Sequence, residues 1–133
     1  MTRREAREYA FKLIFEIPFY SAERCEERLV FFFENLNDKP TTDDKKYITD
    51  VVTSCFEHID EIDNAISPNL KNWKIDRLSK VDLSILRLAA TEIMFIDSIP
   101  GKVSANEAVN VAKKYGDDNS PSFINGVLAN LIG

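Results

Sequence analysis

Glycine and proline are scarce in this chain, four and five among 133 residues. A sheet-rich fold of that length would need more turn residues, so an all-β chain is not expected. Histidine occurs once, at His58, and cysteine twice, at Cys25 and Cys55. That set fits no metal-ligand spacing. Both cysteines fall on apolar helix faces, where buried, reduced thiols are expected. No Gly-rich phosphate loop, HExxH or GxSxG motif is present. Neither cysteine stands in a nucleophile setting, and paired acids occur only as exposed runs, so a binding module is expected rather than an enzyme, with no cofactor. No signal peptide is visible, and no apolar run approaches the roughly 20 residues a bilayer requires. A cytoplasmic protein without membrane contact is expected. The net charge of −5 gives no global attraction to nucleic acid, so any such site must be a local patch.

What the sequence does contain is helical periodicity. With 44% hydrophobic and 29% charged residues it is ordinary globular material, and residues 1–133 are expected to form a single domain. The stretch Ser79–Ile96, SKVDLSILRLAATEIMFI, organises the rest. Ser79 can cap a helix, and Asp82 can accept from backbone donors of the first turn. Leu83, Leu86, Ala90 and Ile93 recur at helical spacing, and Ile85, Leu88, Ala89 and Met94 widen the apolar face to most of the circumference. Such a helix is buried in a core.

The remaining segments read as helices in turn. The first covers residues 3 to 17, with a stripe of Ala6, Ala10, Leu13, Ile14 and Ile17, ended by Pro18. The second runs from a Ser21 cap to about Leu36 and buries Cys25, Leu29, Phe32, Phe33 and Leu36. Thr42 is expected to cap a long third helix whose stripe extends from Ile48 through Cys55, Ile59 and Ile62 to Ile66, stopped by Pro68. A short helix lies within Asn69–Leu78, anchored by Trp73, Ile75 and Leu78. After the turn at Ser98–Gly101, Ser104 to Glu107 reads as a capping box with Val103 as its hydrophobic staple, and Gly116 as a left-handed C-terminal residue. Ser120 caps the last helix, with Pro121 at its first position. Gly126 interrupts that helix, which suggests close packing or access for a ligand. The fold class is therefore all-α, a bundle of about seven helices.

Two clusters suit a single-stranded nucleic acid, which is held by cations along its phosphates and by rings stacked on its bases. One is Arg3, Arg4 and Arg7 at the opening of the first helix, followed by Lys12. Cations there oppose the helix macrodipole, which is understandable if phosphates occupy the site. The other is Lys113, Lys114, Tyr115 and Phe123. A competing reading makes the acidic face at Glu57, Asp60, Glu61 and Asp63 the main site of a protein-interaction adaptor with no direct RNA contact.

Three segments resemble one known family: RREAREYAFKLIFE at the start, WKIDRLSKVDLSILRLAATEI in the middle and IPGKVSANEAVNVAKKYGDDNSPSFINGVLANL at the end. Together they cover about half the chain in conserved order and are similar to the NusB family of bacterial transcription antitermination factors. The resemblance implies two packed helical sub-bundles. It implies binding to boxA RNA of nascent ribosomal RNA transcripts together with the ribosomal protein NusE, within an RNA polymerase antitermination complex. It maps RNA contacts onto Arg3, Arg4 and Arg7 and onto Phe123 in SFINGVL, where Asn125 is a further candidate beside Lys113 and Lys114. It maps a NusE contact onto Asp82. Members of the family occur as monomers and as homodimers. The chain departs from the family in three ways. Only Met1 and Thr2 precede Arg3. Glu5 and Glu8 dilute the basic arm. Asn69 stands where some members carry an aromatic. Some RNA methyltransferases carry a similar domain at their amino terminus; a fused methyltransferase would need a Gly-rich cofactor loop, which these 133 residues do not contain, so that reading is not expected.

Overall fold

The computed structural model describes residues 1–16, 22–71 and 74–132, the side chain of Ala22 excepted. Those residues form seven α-helices and no strand. They are α1 (Arg3–Glu16), α2 (Ala22–Asn35), α3 (Thr42–Glu57), α4 (Ile59–Ile66), α5 (Lys80–Phe95), α6 (Gly101–Tyr115) and α7 (Ser120–Ile132), with single 3-10 turns at Ser67–Asn69 and Ile75–Arg77. The expected roles of Ile17, Pro18, Ser21 and Trp73 lie outside the described residues.

The all-α expectation holds, and α5 occupies the centre. Every residue from Ser84 to Glu92 is buried, and α5 packs against α1, α3, α4, α6 and α7. It joins two groups of helices, α1 to α3 on one side and α6 with α7 on the other. The core runs through both, from Ile14, Ile48 and Val52 to Leu86, Leu88, Ile124 and Leu128. Cys25 and Cys55 are buried, reduced thiols. Burial pushes the Cys55 thiol up to about 12, despite a hydrogen bond from Thr91.

Local signals place the helix starts, with several corrections. At α1, Thr2 and Glu5 form a reciprocal cap. The Thr2 Oγ1 accepts from the Glu5 N–H at 3.0 Å, and the Glu5 carboxylate accepts from the Thr2 N–H at 2.9 Å. Glu5 therefore serves the helix rather than merely diluting the arginines. At α3 the cap is Thr41, one residue before the expected Thr42. Asp44, three residues on from Thr41, returns the bond and completes the box. Ser79 caps α5 as expected, accepting from the Asp82 N–H at 3.0 Å. No first-turn N–H among the described residues donates to the Asp82 carboxylate, whose Oδ1 is buried without a hydrogen-bond partner.

The single long third helix is in fact two. His58 breaks it with φ −117° and ψ 27°, and its ring stacks on Phe95 at 4.3 Å. The break turns α4 onto α5, where Asp63 meets Arg87 through two bonds of 2.8 and 2.7 Å. The α-helix ends at Ile66, just before Pro68 as expected, and Pro68 sits at the start of a 3-10 turn where no amide donor is needed. Of the expected Asn69–Leu78 helix, the described residues after Leu70 show only the 3-10 turn at Ile75–Arg77.

The capping box at Ser104 does not form. Helix α6 begins at Gly101 with Pro100 before it, so Ser104 is already inside the helix and Val103 is solvent-exposed. Gly116 is extended at φ −89° and ψ −172°, not left-handed. Its lack of a side chain matters for a different reason. A Cβ there would lie 2.5 Å from the Ser120 side chain. Helix α7 starts at Ser120, and Asp117 supplies the cap by accepting from the Asn119 and Ser120 N–H groups. Gly126 faces open space and is not a close-packing site.

The central position of α5 generates a direct prediction. Leu86 is fully buried, and truncation to alanine removes its apolar contacts and leaves a cavity. Leu86→Ala is expected to cost about 2–5 kcal/mol, read as a lowered midpoint in chemical denaturation with the helical circular dichroism of the native state retained.

Candidate nucleic-acid interface

The arginines of α1 divide between the inside and the outside of the molecule. Arg7 shares the face of Ala10, Phe11 and Ile14, three, four and seven residues on, and that face is buried. A buried guanidinium must find a carboxylate, and Glu92 of α5 provides it. Arg7 Nε donates to Glu92 Oε2 at 2.8 Å and Nη2 donates to Oε1 at 2.9 Å. Two further donors complete the carboxylate: Tyr47 Oη from α3 at 2.7 Å and Ser104 Oγ from α6 at 2.9 Å. Burial alone would lower the pKa of Arg7, but the Glu92 hydrogen bonds and the charges of Glu92 and Glu107 outweigh it and the net shift is upward. Burial and the neighbouring Glu92 charge raise the Tyr47 phenol far above its ordinary value. Arg7, expected beside Arg3 and Arg4 on a phosphate-binding arm, is instead buried. It joins four helices from within.

Arg3 and Arg4 are exposed. The Arg3 guanidinium lies 4.4 Å from the centre of the Tyr47 ring, within cation–π range. Arg4 reaches across to α6, where its Nε and Nη2 both donate to Glu107 at 3.1 Å. Glu107 is also 3.8 Å from Arg7. One turn further along α1, Glu8 accepts from Lys114 of α6 at 2.6 Å and from Tyr115 Oη at 2.8 Å. Lys12 then stands between the rings of Tyr9 and Tyr115, 5.9 and 5.7 Å from their centres.

The result is a cationic seam between α1 and α6. Arg4, Glu8, Asn110, Val111, Lys113 and Lys114 line a shallow groove of about 430 Å³ along it. A larger groove of about 810 Å³ opens at the amino end of α1, with Arg3, Arg4, Arg7 and Tyr47 on one side and Ile99, Pro100 and Val103 on the other. The structure therefore brings together Arg4, Lys113 and Lys114, with Arg3 around the corner. Phe123 and Asn125 line neither groove. Phe123 is half-buried against the core on α7, and Asn125 is exposed. Asp82 lies at the start of α5 and lines neither groove. The acidic face is also altered, because Asp63 is engaged with Arg87 while Glu57, Asp60 and Glu61 remain exposed.

Three residues that organise this interface, Tyr47, Glu92 and Glu107, were not visible as such in the sequence. Glu92 carried a signal, since a lone carboxylate in a helix apolar nearly all round requires a buried partner. Arg7 carried the complementary one, an arginine in register with an apolar stripe.

Fold and seam together define an all-helical binding module that presents cations and aromatic rings on one edge. Comparisons with known proteins agree at every level. The NusB family model matches residues 4–133. Over 132 residues the chain is 47% identical to the transcription antitermination protein NusB of Clostridium novyi (strain NT), covering 99% of this chain and 98% of that one. It is 46% identical over 131 residues to the NusB of Listeria monocytogenes serotype 4a, covering 98% and 96%. Among solved structures, NusB of T. maritima superposes with a TM-score of 0.82 at 32% identity, covering 99% of this chain and 91% of that one. A crystal structure of the antitermination factors NusB and NusE in complex with double-stranded RNA superposes with a TM-score of 0.79 at 30% identity, covering 98% and 95%. The chain belongs to the NusB family, whose members are non-enzymatic transcription antitermination factors.

Two predictions follow from the geometry. Arg7→Ala leaves the Glu92 carboxylate buried without its countercharge, so a loss of about 3–5 kcal/mol is expected, measured by denaturant titration. The second concerns pH. The Arg4 hydrogen bond and charge hold the Glu107 carboxyl below its ordinary range, outweighing its partial burial. A carboxyl depressed by folding stabilises fully above its unfolded pKa, and that stability is lost as pH falls through the folded value. The difference in thermal midpoint between the wild type and Glu107→Gln is therefore expected to be largest near neutrality and to shrink as pH falls below the ordinary glutamate range, about 4.3.

Proposed function

We propose that this chain binds the boxA element of nascent ribosomal RNA transcripts as a single strand, jointly with the ribosomal protein NusE, and thereby enters an RNA polymerase antitermination complex. The observation that carries this reading is the α1–α6 seam. An acidic protein gathers Arg4, Lys113 and Lys114 along one groove, with Arg3 at its end and Tyr115 beside it. Phosphates track such cations, and exposed rings stack on bases. The NusB, NusE and RNA assembly known for a structural relative supports it.

Within this reading Arg3, Arg4, Lys113 and Lys114 hold phosphates. Phe123 and Asn125 on α7 contact bases. Arg7 supports the site from inside by seating α1 against α3, α5 and α6. Asp82, partly exposed in the first turn of α5, faces NusE. Residues 1–133 act as one domain.

A salt titration of labelled single-stranded boxA RNA with NusE present tests the reading. The Arg3→Ala/Arg4→Ala double variant is expected to bind more weakly and with a shallower salt dependence, because fewer counterions are released. Phe123→Ala should weaken binding at an unchanged slope, since stacking releases no ions. Asp82→Lys should reduce NusE recruitment while leaving the salt slope for RNA alone intact. If the double arginine variant behaves as the wild type at every salt concentration, the seam is not the RNA site.

A further inference from the structure

Two of the four cations assigned to phosphates, Arg4 and Lys114, already hold a carboxylate of this same chain. Arg4 commits its Nε and Nη2 to Glu107, and Lys114 commits its ammonium to Glu8. These two pairs bridge α1 and α6 directly along the proposed path, while Lys113 lies exposed in the same groove. Glu8 and Glu107 are mostly covered, each with only 17% of its side chain accessible, whereas Arg4 and Lys114 are 65% and 61% accessible. The carboxylates are thus fixed and the cations project past them toward solvent. Both carboxyls are held in the charged form by these partners against the opposing effect of burial.

Stability alone does not account for the arrangement. Ion pairs whose cation is solvent-exposed contribute little to folding, and the joint between α1 and the rest of the fold is already made by Arg7 and Glu92 beneath them. What the pairs do change is the electrostatics of the groove. Counting Arg4, Lys113 and Lys114 against Glu8 and Glu107 leaves a single net positive charge along it.

We infer that Glu8 and Glu107 are affinity-setting residues of the RNA site: internal anions that occupy Arg4 and Lys114 in the free protein and compete with RNA phosphates for them. This rests on the reading of the seam as the RNA site and adds to it. A phosphate arriving at Arg4 or Lys114 must share the cation with a carboxylate or displace it. Either way it gains less than it would at a free cation, and it releases fewer salt ions. The chain therefore binds a single strand weakly by itself. Only a strand that engages several points at once, or one delivered with a protein partner, holds the seam open. Short strands, which engage few cations at once, are rejected by the same competition.

The test is fluorescence anisotropy of a labelled single-stranded boxA RNA, titrated with the full chain at several salt concentrations. The variants are Glu8→Gln, Glu107→Gln and their combination, with Glu61→Gln, an exposed acid on α4 outside the seam, as a control for net charge. Glutamine keeps the shape and can still accept from Tyr115. Thermal midpoints confirm that each variant is folded. Each seam variant is expected to bind several-fold more tightly at low salt. Its log–log salt slope should be steeper by up to about 0.7 for each cation set free, the value for a single strand. The combined variant should exceed either alone, and Glu61→Gln should match the wild type. Weaker binding by the seam variants would overturn the inference, because the carboxylates would then be orienting the cations. Equal tightening by Glu61→Gln would also overturn it, because net charge would be the cause. If Arg4→Ala and Lys114→Ala leave wild-type binding unchanged, the seam reading itself fails, which is a separate outcome from unchanged binding by the glutamine variants alone.

Discussion

One buried carboxylate sets the geometry of this molecule. Glu92 lies near the end of the central helix, almost wholly excluded from solvent, and a charge in that position is tolerable only when its oxygens are fully bonded. Its donors come from three other helices: Arg7 from α1, Tyr47 from α3 and Ser104 from α6. Apolar packing would hold these helices together in many registers. The bidentate arginine and the two hydroxyls admit one, because a shift of any helix would leave a buried donor or acceptor without a partner. The register of α1 against α6 follows from that junction, and so does the seam between them.

The exposed cations inherit their positions from it. With Arg7 pointing inward, Arg4 and Glu8 on the neighbouring face of α1 are brought opposite Glu107 and Lys114 of α6. Arg3, on the other flank, is brought over the ring of Tyr47, whose hydroxyl belongs to the buried cluster. Buried and exposed electrostatics are therefore one system. The inner pair holds the helices in place, and the outer pairs tune a surface that remains close to neutral in an acidic protein.

The helical boundaries show the same dependence of local signals on tertiary packing. Ser104 and Glu107 have the spacing of a capping box, yet Ser104 donates to Glu92 and Glu107 accepts from Arg4. Each side chain has a partner across the interface, and the helix starts earlier, at Gly101. Asp63 belongs by spacing to a continuous acidic face, but Arg87 of α5 draws it in, and the chain bends at His58 to allow it. At α1 and α3 the described residues offer no such competitor. There Thr2 with Glu5 and Thr41 with Asp44 form the reciprocal caps that their spacing allows.

By itself, the sequence determined the helical class, the central burial of Ser79–Ile96, the apolar stripes of most helices and the reduced state of both cysteines. These depend on periodicity and composition, which are properties of neighbours along the chain. It also singled out Arg3, Arg4, Lys113 and Lys114, because clustered cations in an acidic chain stand out without any fold. Only the tertiary structure decided that Arg7 belongs inside, that Arg4 and Lys114 are already paired, and that Phe123 lies apart from the grooves. The reason is physical. Glu92 is 85 residues from Arg7 and Glu107 is 103 from Arg4, and no pattern of spacing within a helix carries information about partners that distant. Which charge meets which is settled by how helices pack, and here that packing is settled around a single carboxylate.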